Sequence, residues 1–303
     1  MKKWKFYFKW RGVTLLLAFL MILGCGKAER KAILKKAVSE AYTEIEKSVK
    51  ESSDDEATES DQQAGDNASV EESSALDGVE IPVYKGKVKL SETVKHRYSY
   101  VVSYNHDTKQ PNWVAWKLTA AHASGPVGRM DFQDDDDMPD PKGYLSDYYN
   151  SGYDRGHMCP AGDNKWSEKA MEDCFLITNM CPQNNGLNRG MWNSIEQQCR
   201  TWAKKYGVVY IVCGPIYLNK EHRKLGKNKV VVPDAFFKVV LCPGDKPKAI
   251  GFVCRNESQK GRKKTDFINT IDDVERITGY DFFSKLPDGI EKKIEAHADI
   301  NEW

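Results

Sequence analysis

The sequence predicts an α+β domain with a mixed, largely antiparallel central sheet. Three observations lead there. First, short segments rich in β-branched and aromatic residues recur: RYSYVVSYN (97–105), NWVAWKLT (112–119), FLITNM (175–180), VVYIVCGPIY (208–217), AFFKVVLC (235–242) and AIGFVCRN (249–256). Second, the polar turn HDTKQP (106–111) joins the first two as neighbouring strands. Third, helical pattern is confined to a few places, chiefly LNRGMWNSIEQQCRTWAKKYG (187–207) and TIDDVERITG (270–279). The longer of these ends in a basic turn and a glycine, the expected stop. No internal repeat is present.

The apolar material of the 303 residues is unevenly spread. Residues 51–80 contain eleven acidic residues and no Lys or Arg, too few apolar groups to offset the entropy of ordering, so a disordered acidic tether is expected. Before it, residues 26–50 carry helical composition and i,i+4 charge pairs with only a thin apolar stripe, the pattern of a solvated or partner-seeking helix. At the start, MKKWKFYFKWRG is a basic segment, VTLLLAFLMI an apolar one, and Cys25 closes the run. The apolar stretch is short for a membrane span, so residues 1–25 are expected to be an export signal. Its Ile22-Leu23-Gly24-Cys25 ending resembles the lipobox of bacterial lipoproteins, which implies lipidation of Cys25 and a membrane anchor facing the periplasm or cell surface. A plain secretory signal or a single anchor helix is the alternative. One folded domain is then expected over residues 81–296. Beyond residue 80 the chain holds 33 basic and 29 acidic residues, a balance compatible with a polyanionic partner but not diagnostic of one.

An exported domain also changes how its cysteines are read. Seven follow Cys25, at 159, 174, 181, 199, 213, 242 and 254. In an oxidising compartment disulfides are the default expectation, with at least one thiol left over. No CxxC is present, which argues against a zinc site.

Three neighbourhoods carry chemistry. Asp154-Arg155-Gly156-His157 ends a short strand. Asn188, Trp192 and Glu196 stand four apart at the start of the long helix, where 100° per residue leaves each about 40° from the last and places Asn188 and Glu196 on one face. Gly128-Arg129-Met130-Asp131 follows NWVAWKLT. Taken singly each has a plainer reading: a structural histidine, a helix-capping asparagine, a glutamate paired i,i+4 with Arg200, a surface arginine. Together they suit hydrolysis of a phosphodiester. A neutral histidine takes the proton of attacking water. One Mg²⁺ polarises the phosphoryl and leaving oxygens while needing only one or two protein oxygens. An arginine fork complements the phosphate. Asp134–Asp137 lacks calcium-loop spacing and reads as a solvated loop, and the basic stretch 219–229 as a phosphate grip or a solvated loop.

DRGH followed by NxxxWxxxE resembles the DNA/RNA non-specific endonucleases of the ββα-metal (His-Me finger) superfamily. The likeness extends through SGYDRGHM, FLITNMCPQ, VVYIVCGPIY and TGYDFFSKLPD in that family's order, over about residues 95–290. It implies a ββα-metal finger (strand, loop, strand, helix) carrying the site. By position it implies His157 as general base and Asn188 as direct ligand of one divalent ion, Mg²⁺ or Mn²⁺. Glu196 acts through water on that ion, and Arg129 stabilises the phosphate and leaving group. Arg155 reaches phosphate or positions the site, and Asp154 is a structural support. The implied substrates are DNA and RNA, single- or double-stranded, with 5′-phosphate products and no stable protein partner. This chain departs from the family's better-known members in Cys159 and Cys181, where a disulfide would stiffen the finger. Two other readings stay open: a nucleic-acid-binding module of the same fold without turnover, and a phosphodiesterase for small or lipid diesters.

Overall fold

Residues 76–303 are described in the computed structural model. Cys25, the export signal, the charged helical segment and the tether as far as residue 75 lie outside the described residues. In chain order the strands are β1 (Val83–Tyr84), β2 (Thr93–His96), β3 (Val101–Asn105), β4 (Gln110–Thr119), β5 (Asp154–His157), β6 (Met180–Gln183) and β7 (Val208–Ile216). They continue with β8 (Lys224–Leu225), β9 (Val230–Val231), β10 (Ala235–Cys242), β11 (Lys248–Arg255), β12 (Ile268–Asn269) and β13 (Tyr280–Asp281). The α-helices are α1 (Glu168–Cys174), α2 (Asn193–Tyr206), α3 (Ile271–Thr278) and α4 (Asp288–Glu295).

Seven strands form one antiparallel sheet in the order β12-β11-β10-β7-β4-β3-β2, which matches the expected α+β class. Side chains alternate across it as the pleat requires. Val114, Trp116 and Leu118 of β4, Ile211 and Cys213 of β7, and Phe236 and Val240 of β10 face one core, which also receives Ile195, Cys199 and Trp202 of α2. Trp113, Ala115, Val212, Phe237 and Val239 face the other, which receives Ile271 and Val274 of α3 and Ile294 of α4. Both faces are therefore covered. That is why β10 reads as an almost continuous apolar run, with Lys238 its single charged residue.

The local signals explain most element ends. Gly207, at φ +85°, terminates α2 in a backbone conformation that a side chain would strain. Thr270 caps α3 by accepting from the Asp273 amide at 3.1 Å.

Four expectations are corrected. The start of the long helix is not α-helical: Leu187–Trp192 form an i→i+5 turn that leads into α2. FLITNM is not a strand throughout, since Ile177–Asn179 turn as a 3₁₀ segment before β6. There Asn179 donates to the Cys159 and Cys174 carbonyls, so its buried side chain bonds backbone groups that a ladder would otherwise engage. Third, all seven described cysteines are free and buried, so the expected disulfides, including one between Cys159 and Cys181, are not formed. The thiols contact other groups instead: Cys213 donates to the Met158 carbonyl at 3.3 Å, and the Asn164 amide reaches Cys159 Sγ at 3.3 Å. Finally, Asp134–Asp137 is no uniformly solvated loop. Asp135 is buried and is held by Arg97 and by the Thr178 hydroxyl.

Candidate active site

The site is built where β5 and β6 pair and hand over to α2. Their antiparallel register sets Asp154 opposite Gln183 and His157 opposite Met180. A Cβ at Gly156 would stand 2.3 Å from Gln183 Oε1, so this close approach requires the glycine of the DRGH motif. His157 is 9% exposed, and its ring is wedged between Phe175, edge-on with centroids 4.8 Å apart, and Phe132 at 5.4 Å. Its Nε2 is buried without a hydrogen-bond partner among the described residues. Burial pulls the imidazole down to about 3, with Arg129 and Arg155 adding to the shift. The ring is therefore neutral at pH 7 and able to accept a proton.

The two arginines are held by the same rings. Arg129 lies over Phe175, 5.1 Å from its centroid, and Arg155 over Phe132 at 4.3 Å. Neither guanidinium is neutralised by a carboxylate among the described residues. Both remain able to receive an anion.

Asp154 orients the asparagine across the finger. Its carboxylate accepts from Asn188 Nδ2 at 3.0 Å, and from Arg189 Nε at 3.0 Å and Nη2 at 3.1 Å. With Nδ2 so engaged, Asn188 Oδ1 is left available to the cleft. The wide turn at 187–192 rotates less per residue than an α-helix. It therefore offsets the drift of a four-residue spacing, and Glu196 follows Asn188 on the cleft side. Behind Glu196 stands Lys238, fully buried on β10. Its Nζ rests 4.8 Å from the Trp116 ring centroid and 4.6 Å from that of Trp192, with no hydrogen-bond partner among the described residues. Burial pulls Lys238 down, but Cys213, Glu196, Cys199 and Asp163 outweigh it and hold the ammonium charged. Burial also pushes Glu196 up to about 7, against the opposing pull of Lys238. Trp192 itself is buried against Phe236.

All six expected site residues within the described region, Arg129, Asp154, Arg155, His157, Asn188 and Glu196, line one open cleft of about 910 Å³. The basic stretch at 219–229 does not join them. It is folded onto Asp234, which accepts from the Leu218 and Asn219 amides and bonds His222 Nε2 at 2.9 Å. Sequence reading missed Phe132, Phe175, Lys165 and Lys238. For Lys238 a signal existed, a lone charge inside an apolar strand. The two phenylalanines lie 25 and 18 residues from His157 and carry no spacing that announces them.

The donor set fits a hard divalent ion. The Asn188 carbonyl oxygen and the Glu196 carboxylate offer oxygen donors about two turns apart, and no cysteine lines the cleft.

Known proteins similar to this chain are nucleases. The family model described as DNA/RNA non-specific endonuclease matches residues 80–289. A mitochondrial nuclease of Saccharomyces cerevisiae is 36% identical over 225 residues, covering 66% of this chain and 68% of its own length. Nuclease C1 of Cunninghamella echinulata is 36% identical over 207 residues, 63% and 82% of the two chains. Human mitochondrial endonuclease G is 32% identical over 208 residues, 64% and 70%. Among solved structures, a chain of the crystal structure of an EndoG/EndoGI complex aligns with a TM-score of 0.61 and 33% identity, covering 64% of this chain and 86% of that one.

Proposed function

For a chain that belongs to the DNA/RNA non-specific endonuclease family, and is a hydrolase of that class, we propose that the His157 cleft is the active site and cuts DNA and RNA phosphodiesters with little sequence preference. One observation carries the assignment. A buried neutral histidine, two guanidiniums without carboxylate partners, and the Asn188 and Glu196 oxygens converge on one cleft.

In this reading His157 takes a proton from water as that water's oxygen attacks phosphorus. The bond between phosphorus and the 3′ oxygen breaks, that oxygen takes a proton from solvent to leave as a 3′-hydroxyl, and the phosphate stays on the 5′ side. Arg129 and Arg155 complement the phosphate oxygens, and a phosphate between them cancels their share of the depression of His157. Asn188 Oδ1 would hold one Mg²⁺ or Mn²⁺ directly, with Glu196 acting through water. Such an ion supplies electrostatic stabilisation of the charge that develops on the phosphoryl and leaving oxygens. Asp154 positions Asn188, and Lys238 sets the charge behind Glu196.

The test is digestion of plasmid DNA and of RNA in Mg²⁺ with and without EDTA. Both polymers should be cut with Mg²⁺ and neither in excess EDTA. Saturable binding without cleavage under any divalent ion would instead mark a binding module, and turnover of small diesters alone would mark a phosphodiesterase.

We also infer export and lipidation at Cys25. This rests on the basic-then-apolar leader of residues 1–25, which precede the matched family region. The yeast and human relatives are mitochondrial by name, which speaks of those proteins. Mass spectrometry of the mature amino terminus decides it: a diacylglyceryl cysteine at position 25 is expected, and any other first residue rules out lipidation there.

A further inference from the structure

The sheet face opposite the cleft carries a second set of polar groups for which phosphodiester hydrolysis has no use. Asp272 and Glu275 of α3 and Glu295 of α4 each bring a carboxylate oxygen within 4.8 Å of the others. Asp281 of β13 and Glu291 of α4 do the same with Glu295. Five carboxylates thus share one neighbourhood, with Glu295 common to both triads. The nearest ion pair is Lys85 to Asp281 at 3.4 Å, on a lysine whose side chain is 64% exposed.

Acidic crowding on a surface is common, and by itself indicates nothing. The distinguishing observation is Glu295. It is 7% exposed, and its Oε1 is buried without any hydrogen-bond partner among the described residues. A buried polar atom left unpaired needs an explanation, and here it lies among four other carboxylates that a cation would bridge. Glu275 is fixed as well, since its Oε1 accepts from the Phe282 amide at 2.8 Å, aligning α3 with the segment after β13.

We propose that α3, β13 and α4 form a second divalent-cation site, of Ca²⁺ type, centred on the unpaired buried carboxylate of Glu295. The chemistry selects the ion. All five ligands are carboxylates, with no imidazole or thiolate, which disfavours the softer transition metals. Ca²⁺ takes six to eight oxygens in flexible geometry and accepts bidentate glutamates, whereas Mg²⁺ demands a near-ideal octahedron and keeps most of its waters. The site pins α3 and α4 against the sheet and stands apart from the cleft, so its role is stability. It does not depend on the nuclease reading.

The experiment is thermal unfolding of the full chain in EDTA and in millimolar Ca²⁺, for the wild type, Glu295→Gln and the cleft variant Asn188→Ala. With Ca²⁺ at about a hundredfold excess over its dissociation constant, the wild type and Asn188→Ala should gain about 5–10 °C. Glu295→Gln should gain little, yet melt in EDTA at or above the wild type, because it removes one carboxylate from the crowd. Should Glu295→Gln not fold, the double variant Asp272→Asn/Asp281→Asn, changed at less buried positions, must lose the Ca²⁺ response. Cleavage in Mg²⁺ should be unchanged in Glu295→Gln, which separates this site from the cleft. A wild-type melt insensitive to Ca²⁺, an equal shift in Glu295→Gln, or loss of the shift in Asn188→Ala would each overturn the proposal.

Discussion

The cleft and the frame around it use similar polar residues to opposite ends. In the frame away from the Glu295 cluster, three acidic side chains are saturated. Asp163 accepts from Arg200 at 2.7 Å and from the Trp116 indole at 3.1 Å, Asp135 receives Arg97 and Thr178, and Asp234 gathers the 218–222 loop. In the cleft, His157 Nε2 is buried without a partner, and Arg129 and Arg155 rest on ring faces. A saturated buried group stabilises its neighbourhood. An unsatisfied one carries a desolvation penalty that only a ligand or transition state can recover. Changes in the cleft should therefore remove activity more than stability, and changes in the frame the reverse.

The sharpest break of that contrast is His157→Ala. It should lower cleavage of both polymers by about 10²–10⁴-fold, the usual share of a general base, without a comparable loss of melting temperature. Full activity in this variant would sink the assignment. Next comes Arg200→Ala, which strands the buried Asp163 carboxylate. Breaking such a pair costs about 3–5 kcal/mol, a fall on the order of 10 °C for a domain of this size. A melt within a degree of the wild type would show that the frame does not depend on saturation.

Asp154→Ala frees the Asn188 amide and should weaken metal-supported activity about 10–100-fold, most visibly as a higher Mg²⁺ requirement. An unchanged Mg²⁺ titration would remove Asp154 from its positioning role.

For Asp234, burial raises the carboxyl, but bonds from the Asn219 and Leu218 amides, His222 and the Asn219 side chain overcome it and hold the group at about 2. A carboxyl depressed in the fold stabilises it above its unfolded value, and that contribution disappears as pH falls through the folded one. Asp234→Asn should therefore cost up to about 2 kcal/mol at pH 7, and the gap should close between roughly pH 4 and pH 2. A pH-independent gap would mean that packing, not charge, explains the loss. The smallest expected effect is none at all: dithiothreitol should leave the melting temperature unchanged, because the seven described cysteines are free thiols. A drop of several degrees would restore the disulfides.

Much of this protein was legible in the chain itself, because the signals are local. Short runs rich in β-branched and aromatic residues marked β3, β4, β7, β10 and β11, and Gly207 marked the end of α2. The paired motifs around His157 and Asn188 pointed to a site because each reaction role demands a particular side chain. What only the folded chain decided is non-local. The rings of Phe132 and Phe175 seat the imidazole and both arginines, and Lys238 stands behind Glu196. Asp154 orients Asn188 from 34 residues away. Whether thiols pair likewise depends on where the core places each sulfur, which no spacing reports. Residues far apart along a chain share no periodicity. Their contacts follow from which face of the sheet each strand presents, and that is set only when both faces are covered.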